Sequence, residues 1–110
     1  MTFRLVATID ELVEDVPLSC DVDDELTVAI VTHGGQLFAI EDECSHAKVP
    51  LSEGEVIDCT IECYLHGSLF DLRTGAPLNL PATSPVRVFP VRIEGTDVLV
   101  DPDQPLSFDN

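Results

Sequence analysis

The chain has 110 residues, 45% of them hydrophobic, so residues 1–110 are expected to form a single domain with a substantial core. With 21 acidic and 5 basic residues its net charge is −16, which disfavours binding to nucleic acid or to an anionic membrane surface. It has no apolar run of about 18 residues and no signal-peptide pattern, so neither a membrane span nor export is expected.

Strand signals begin near the N-terminus. Alternating apolar residues predict a first strand over residues 3–7. Thr8 and Glu11 match a helix capping box, which predicts a short helical turn after that strand. A short strand is predicted over residues 18–22, and the acidic residues 21–25 predict a solvated turn.

Two β-rich runs follow at residues 26–32 and 37–40. The glycines between them predict a hairpin, with His33 at its turn. We interpret His33 as a surface turn residue and not as a metal ligand.

The C-terminal half carries further strand and turn signals. One strand is predicted to start at Val56 and to continue through Cys59 to Glu62, and an outgoing strand is predicted over residues 68–71. Residues 73–75 predict the turn after it.

The end of the chain is rich in proline. Residues 79–85 are predicted to be irregular, and the runs 86–93 and 97–100 predict a last hairpin. Pro90 interrupts the first of these runs and predicts an edge position or a bulge. The tail from residue 101 onward is expected to be loosely ordered.

Many short strands and few helix signals together predict an all-β fold, an antiparallel sandwich or barrel. The sequence shows no internal repeat and no linker that would divide it.

Two short segments carry the candidate chemistry. Cys44 is followed by His46, and Cys63 by His66, so each segment offers one thiol and one imidazole. Two sulfur and two nitrogen donors suit a metal centre of mixed hardness. Neither pair can converge on a metal from a regular strand, so both are predicted to lie on tight loops that face each other.

A structural zinc site would use the same donor atoms and is an alternative. The common zinc-finger spacing places two Cys together and two His together, whereas each pair here is mixed. This difference favours another kind of metal centre.

The pattern C-x-H…C-x-x-H resembles the Rieske [2Fe–2S] proteins, in which two His replace two Cys on one of the two irons. Residues 66–71 and 73–75 look like the family's second cluster loop and the hairpin after it, and residues 51–56 look like its link between the loops. In all, residues 3–101 fit the single-domain Rieske ferredoxin pattern. The resemblance implies one [2Fe–2S] cluster with the ligands Cys44, His46, Cys63 and His66.

The resemblance also makes the fold more specific. It implies a base of antiparallel strands from residues 1–41 and 76–110, with a small cluster-binding subdomain inserted over about residues 42–75. Residues 79–85 would cover the cluster. Some Rieske-like domains have lost their cluster, but these typically lack ligands, and all four are present here.

The two other cysteines, Cys20 and Cys59, are most simply small buried hydrophobic residues, with a disulfide between them as an alternative. Respiratory Rieske proteins carry an extra Cys in each cluster loop, and the two form a clamping disulfide. Neither loop here has such a residue. The chain therefore resembles the disulfide-free ferredoxin branch, which implies a cytoplasmic location.

Two residues after the second loop bear on the reduction potential. By similarity, Ser68 corresponds to a hydroxyl that donates to a bridging sulfide in high-potential members, although a bond to the loop backbone is an alternative role. Phe70 stands where those members have a tyrosine that donates to a ligand sulfur, and Phe cannot donate. These features predict a potential in the lower half of the family range of about −150 to +300 mV.

The resemblance implies a one-electron carrier and not a stand-alone enzyme. Such ferredoxins take electrons from an NAD(P)H-dependent flavoprotein reductase and pass them to the terminal non-haem iron oxygenase of a bacterial aromatic ring-hydroxylating dioxygenase. The negative charge has two compatible interpretations: it keeps a small protein soluble or reflects a salt-tolerant host, or it steers the chain toward a partner with a basic docking face. The acidic residues 41–43 are expected near the base of the cluster-binding subdomain, as contributors to docking.

Two other functions stay open at this point. A Rieske ferredoxin associated with iron–sulfur cluster assembly, or with another redox partner, would share the same motif. A zinc-stabilised binding module with no redox role is an alternative of a different class.

Overall fold

The chain folds almost entirely into β-structure in the computed structural model, which describes residues 3–45, 48–65, 67–103 and 105–106. Within these residues no helix is long and apolar enough to cross a membrane. Two single-turn 3₁₀ helices are present, Ile9–Glu11 and Leu51–Glu53. The strands are β1 (Arg4–Thr8), β2 (Leu18–Asp21), β3 (Thr27–His33), β4 (Gln36–Glu41), β5 (Val56–Ile57), β6 (Thr60–Glu62), β7 (Leu69–Asp71), β8 (Val88–Phe89), β9 (Val91–Glu94) and β10 (Asp97–Val100).

The strands form three sheets whose ladders are antiparallel, which confirms the predicted all-β fold. The first sheet has the order β1-β10-β9, the second β2-β3-β4-β8 and the third β5-β6-β7. The first and second sheets face each other across a shared core, as in a sandwich.

We call that shared core the base core. It is formed by Ala7, Cys20, Leu26, Val28, Ile30, Ala39, Phe89, Val98 and Val100. A second group of buried residues, which we call the site core, joins the second sheet to the third. It is formed by Ala29, Val31, Ile40, Cys44, Leu51, Ile61, Cys63, Phe70, Leu72, Ala82, Val86 and Val88.

Strand β3 belongs to both cores because it is buried on both faces. Val28 and Ile30 pack in the base core, whereas the alternate residues Ala29 and Val31 pack in the site core. Two-sided burial explains why this run of the sequence is continuously apolar and does not alternate with polar residues.

The hairpin between β3 and β4 confirms the turn predicted from its glycines. His33 pairs with Gln36, so only two residues form the turn. Gly34 and Gly35 have φ values of 60° and 79°, a left-handed conformation at both central positions that glycine adopts without strain.

The predicted capping box is wrong in its bonding. The helical turn is present over Ile9–Glu11, but Thr8 makes no side-chain cap bond to it. The Thr8 hydroxyl instead donates to the carboxylates of Asp10 and Glu11. The turn is closed by the Leu12 N–H, which donates to the Ile9 carbonyl at 3.2 Å.

The single strand predicted between Val56 and Glu62 is in fact a hairpin. Ile57 pairs with Thr60, so the chain reverses between β5 and β6. Asp58 at this reversal has φ of 54°, a left-handed conformation that Asp tolerates better than most side chains.

The predicted strand over residues 86–93 is divided at Pro90. Strand β8 pairs with β4 in the second sheet, and β9 pairs with β10 in the first. Pro90 lacks an N–H for either ladder, so it lies at the point where the chain passes from one sheet to the other. The predicted edge position is confirmed, because β8 and β9 are the last strands of their sheets, and the chain changes sheets at Pro90 without a bulge.

The prediction of a loosely ordered tail is wrong for its described residues. Asp101 is buried, and its backbone N–H donates to the Pro90 carbonyl at 3.1 Å. The Leu106 N–H donates to the Val88 carbonyl at 2.8 Å. These bonds fasten the tail along β8, whereas residues 107–110 lie outside the described residues.

The third sheet spans residues 56–71 and falls inside the subdomain predicted over about residues 42–75. The boundaries of that subdomain, and the organisation of residues 1–110 as a single domain, remain predictions.

Gly54 provides a test of how this third sheet is attached. A Cβ at this position would lie 1.6 Å from the Glu62 backbone carbonyl oxygen, so Gly54→Ala must displace the backbone beside β6. We expect a loss of about 2–4 kcal/mol in unfolding free energy. The matched control is Gly95→Ala, where a Cβ meets nothing within 4 Å and only the positive φ of 64° opposes it.

The control should lose only about 1 kcal/mol. Thermal unfolding followed by far-UV circular dichroism compares the two variants under one set of conditions. Equal midpoints for Gly54→Ala and Gly95→Ala would show that the close approach at Gly54 is not a constraint.

Candidate metal centre

The two predicted thiol ligands lie on loops that each close on themselves. Cys44 follows β4, is 3% exposed, and its N–H donates to the Val49 carbonyl at 3.0 Å. Cys63 follows β6 and is fully buried. Its N–H donates to the Ser68 carbonyl at 2.8 Å, and its carbonyl accepts from the Gly67 N–H at 2.9 Å. Both loops are thus held by backbone hydrogen bonds next to the cysteine.

The fold brings these two thiols into one environment. Cys44 and Cys63 both belong to the site core, where they pack with large apolar residues such as Phe70. Sulfur ligands kept from water in this way are held firmly and shielded from competing chemistry. The predicted imidazole ligands, His46 and His66, lie outside the described residues.

Ser68 and Phe70 both lie in the interior next to the second loop. Ser68 is fully buried, and its Oγ accepts a hydrogen bond from the Ala82 N–H at 3.0 Å. The alternative role considered for Ser68, a bond to loop backbone, is therefore present. A hydroxyl that accepts one hydrogen bond still has its own proton to donate, so the two roles are compatible.

Phe70 is fully buried in β7, opposite Ile61 of β6. Its ring packs in the site core with the two thiols but has no hydrogen-bonding atom. At this position the chain therefore offers a sulfur ligand apolar contact and no donor.

The donor set fits an iron–sulfur cluster held by mixed ligands. The two buried thiols would bind as thiolates. The buried Ser68 hydroxyl, which follows Cys63 on the second loop, would be able to donate to a sulfide. The apolar walls of the site core would limit the access of water, which is one of the levers that set the potential of such a centre.

One contact of the second loop was not foreseen from the sequence. The Asn79 side chain accepts from the Leu69 N–H at 2.6 Å and donates to the Gly67 carbonyl at 3.1 Å. It therefore binds the loop on both sides of Ser68. An asparagine in a proline-rich stretch is typical of any loop, so the sequence carried no signal for this contact.

A second unforeseen contact lies just before the first loop. Asp42 is only 8% exposed, and its carboxylate accepts from the Ser19 hydroxyl at 2.7 Å and from the Ser52 N–H and hydroxyl at 2.7 and 2.8 Å. It thus ties β2 and the 3₁₀ helix Leu51–Glu53 to the strand that leads into Cys44.

Two of the acidic residues 41–43 have partners within the chain, and the contribution of all three to docking stays a prediction. Asp42 is committed to its serine partners. Glu41 accepts from the Arg87 N–H at 3.0 Å and from its guanidinium at 3.1 Å. Glu43 is exposed.

Cys20 and Cys59 are separated by the fold and form no disulfide. Cys20 is buried in the base core, where burial raises the pKa of its thiol to about 11, with nearby acids such as Glu11 acting in the same direction. Cys59 packs against the site core, and burial also raises its pKa. Raised pKa values favour the neutral thiol, so these two behave as the small hydrophobic residues predicted.

His33 lies at the β3–β4 turn, as expected. Its Nδ1 is 2.6 Å from the Asp15 carboxylate, and this hydrogen bond raises the pKa of His33 above its ordinary value. Glu14 and Asp15 lie beside the imidazole on an exposed surface. This turn is at the end of β4 opposite to the strand end that leads into Cys44.

An antiparallel β-fold that buries two thiols from two loops in one core is the architecture of a small metal-binding β-domain. The sequence profile of the Rieske [2Fe–2S] domain matches residues 2–90. The chain belongs to the Rieske [2Fe–2S] family.

Particular relatives make the class more specific. The anthranilate 1,2-dioxygenase ferredoxin subunit of Burkholderia cepacia is 46% identical over 96 residues, which are 87% of this chain and 88% of that protein. The ferredoxin of carbazole 1,9a-dioxygenase from Nocardioides aromaticivorans IC177 superimposes with a TM-score of 0.86 at 43% identity. The match covers 93% of this chain and 99% of that one.

A third match is a ferredoxin seen with its partner. It comes from a complex of reduced oxygenase and oxidized ferredoxin in carbazole 1,9a-dioxygenase, with a TM-score of 0.83, 31% identity and coverage of 89% of this chain and 91% of that chain. These relatives confirm the predictions of a Rieske ferredoxin, of one [2Fe–2S] cluster in place of zinc, and of an electron-transfer component.

The Asp42 contacts predict that this side chain holds the first loop on the base. Asp42→Ala leaves the hydroxyls of Ser19 and Ser52 and the Ser52 N–H without their acceptor. We expect the unfolding free energy to fall by about 2–4 kcal/mol. The control Glu43→Ala removes an exposed carboxylate one residue away and should change it by about 0.5 kcal/mol or less.

Urea unfolding of both variants, followed by far-UV circular dichroism, measures the difference. A loss in Asp42→Ala no greater than in Glu43→Ala would mean that the network adds nothing to stability.

Proposed function

We propose that this protein carries single electrons from an NAD(P)H-dependent flavoprotein reductase to the terminal non-haem iron oxygenase of an aromatic ring-hydroxylating dioxygenase, in the cytoplasm. The observation that carries the proposal is the placement of Cys44 and Cys63, on two self-closed loops, in one buried core. The relative found in complex with an oxygenase supports the choice of acceptor.

We propose that Cys44, His46, Cys63 and His66 hold the cluster. A Rieske cluster, when bound, takes up and releases one electron, which resides on the iron with imidazole ligands. Thiolates from the site core would hold the other iron in the interior. Neutral imidazoles keep a second ring nitrogen for a partner or for water, so the electron would leave at the histidine edge.

We further propose that the reduction potential lies in the lower half of the range of about −150 to +300 mV. Ser68 keeps a hydroxyl proton that can be donated to a sulfide, which favours the reduced cluster. Phe70 offers no donor in the site core, so the second such bond of high-potential members is absent from this position.

The surface around the second loop suits contact with an oxygenase. Tyr64 and Leu65 of the loop are exposed, as are Leu78 and Leu80 of the segment fastened to it. That fastening includes the Leu78 N–H, which donates to the Leu69 carbonyl at 2.8 Å. Exposed apolar side chains close in the chain to a binding loop are typical of an interaction site when the rest of the surface is strongly charged.

Negative charge lies beside the first loop. The acidic turn after β2 lies beside the end of β4, and the two segments line a cleft that includes Glu25, Thr27 and Glu43. Asp42 joins the two segments, because its N–H donates to the Thr27 carbonyl at 2.9 Å. These acids would attract a partner with a basic face and increase the rate of encounter.

The direct test of the function is electron transfer by the purified protein. The dithionite-reduced protein should give a rhombic EPR signal with the low average g value typical of mixed His and Cys ligation. It should then be reoxidised by a terminal oxygenase of the carbazole 1,9a-dioxygenase type, one electron per molecule. A colourless, EPR-silent protein that contains zinc would refute the proposal.

The ligand set predicts which residues the cluster needs. Replacement of Cys44 or Cys63 by Ser, or of His46 or His66 by Ala, should remove most of the cluster, because each change deletes an iron ligand. Matched controls are Cys59→Ser and His33→Ala, which alter a thiol and an imidazole outside the set.

Iron and acid-labile sulfide per protein, with the visible spectrum, measure cluster content. The controls should retain wild-type content. A ligand variant with full content and an unchanged EPR spectrum would remove that residue from the set.

If the acids beside the first loop attract the oxygenase, the rate of electron transfer should depend on salt concentration and on which of these acids are present. Between roughly 50 and 500 mM salt the second-order rate of oxidation by the oxygenase should fall by about tenfold or more, because ions screen the attraction. The double variant Glu25→Gln/Glu43→Gln should lower the rate at low salt.

The control is Asp15→Asn/Asp58→Asn, which removes the same charge near His33 at the other end of the sheet. Both control positions have positive φ, which Asn tolerates. Stopped-flow rates at subsaturating oxygenase make the comparison. A flat salt profile, or equal slowing by both double variants, would contradict steering from the acids beside the first loop.

A further inference from the structure

One side chain of the segment after β7 makes two hydrogen bonds to the backbone of the second loop. Asn79 accepts from the Leu69 N–H at 2.6 Å and donates to the Gly67 carbonyl at 3.1 Å. Its two partners are the backbone groups on either side of Ser68. The side-chain amide therefore spans the one residue of this loop whose hydroxyl is buried.

Ser68 is held from two other directions as well. Its carbonyl accepts from the Cys63 N–H at 2.8 Å, and its Oγ accepts from the Ala82 N–H at 3.0 Å. Asn79 and Ala82 belong to the same short segment. Together with the bond from the Leu78 N–H to the Leu69 carbonyl, the Asn79 bonds hold the Ala82 N–H against the Ser68 hydroxyl. They thereby restrict the direction in which the hydroxyl proton can point.

The chemistry of this position requires an amide. Its oxygen serves an N–H donor and its nitrogen serves a carbonyl acceptor, so both ends of the group are matched to their partners. A carboxylate would keep the first bond and lose the second. Asn79 is an exposed residue, so its role is not to fill the core.

We propose that Asn79 is a positioning residue that sets the reduction potential through Ser68. The proposal rests on the assigned role of Ser68, whose hydroxyl would donate to a sulfur of the cluster. A donor to sulfur stabilises the reduced cluster more than the oxidised one, because the reduced cluster carries one more negative charge. Without Asn79 the Gly67 carbonyl and the Leu69 N–H, on either side of Ser68, lose their side-chain partner. The direction of the Ser68 hydroxyl is then less narrowly set, and the potential falls.

The test compares midpoint potentials of cluster-loaded proteins by protein-film voltammetry. Ser68→Ala should lower the midpoint, and Asn79→Ala should lower it by at least half as much. The double variant Ser68→Ala/Asn79→Ala should fall no further than Ser68→Ala alone, because Asn79 acts through the hydroxyl. Thr83→Ala changes an exposed polar residue of the same segment and should leave the midpoint unchanged.

Two further readouts keep the test decisive. Asn79→Gln keeps both hydrogen-bonding groups and should have a midpoint between those of the wild type and Asn79→Ala. If Asn79→Ala does not assemble a cluster, Asn79→Gln with and without Ser68→Ala carries the same comparison. Loss of visible absorbance in excess chelator should be several-fold faster in Asn79→Ala than in Thr83→Ala.

Three results would overturn the proposal. One is an unchanged midpoint in Asn79→Ala when Ser68→Ala lowers it. Another is a double variant whose shift equals the sum of the two single shifts. The third is a shift in Asn79→Ala when Ser68→Ala has none. A wild-type protein without a reversible one-electron couple would instead refute the proposed function, before any variant is compared.

Discussion

The structure depends on one central strand that is buried on both faces. Strand β3 contributes Val28 and Ile30 to the base core and Ala29 and Val31 to the site core. Since burial of each such side chain contributes about 1–3 kcal/mol, this strand stabilises both cores at once. The site core therefore packs directly on the second sheet, and the loops that carry the thiols are held against that sheet.

Polar contacts then decide where each loop lies. Asp42 binds serines of β2 and of the 3₁₀ helix after the first loop, and it does so two residues before Cys44. Asn79 binds the backbone after the second loop. In respiratory members of the family a disulfide joins the two loops. Here the segment after β7 contacts both loops, because the Ser45 hydroxyl donates to the Ser84 carbonyl and Asn79 binds the second loop. Around these bonds Tyr64 and Leu65 of the second loop and Leu78 and Leu80 of the segment after β7 are exposed.

Much of the fold and the chemistry was accessible from the sequence. The β3–β4 hairpin could be predicted because two adjacent glycines between apolar runs have few other uses. The sites of Cys44 and Cys63 could be predicted because ligand chemistry fixes residue types and short spacings. Predictions failed where a local pattern had two physical outcomes. Residues 56–62 read as one strand because nothing in the sequence marked Asp58 as the left-handed residue of a turn, and Thr8 read as a cap although its hydroxyl donates to carboxylates instead.

By itself the sequence determined the all-β class, the resemblance to the Rieske family and the strongly negative charge, because each follows from residue identity and local spacing. Only the tertiary structure decided that Asp42 binds Ser19 and Ser52, that Asn79 spans Ser68, and that the chain changes sheets at Pro90. These features arise between residues distant in the chain. Hydrogen bonds and burial depend on which groups meet in space, and no local pattern records that meeting.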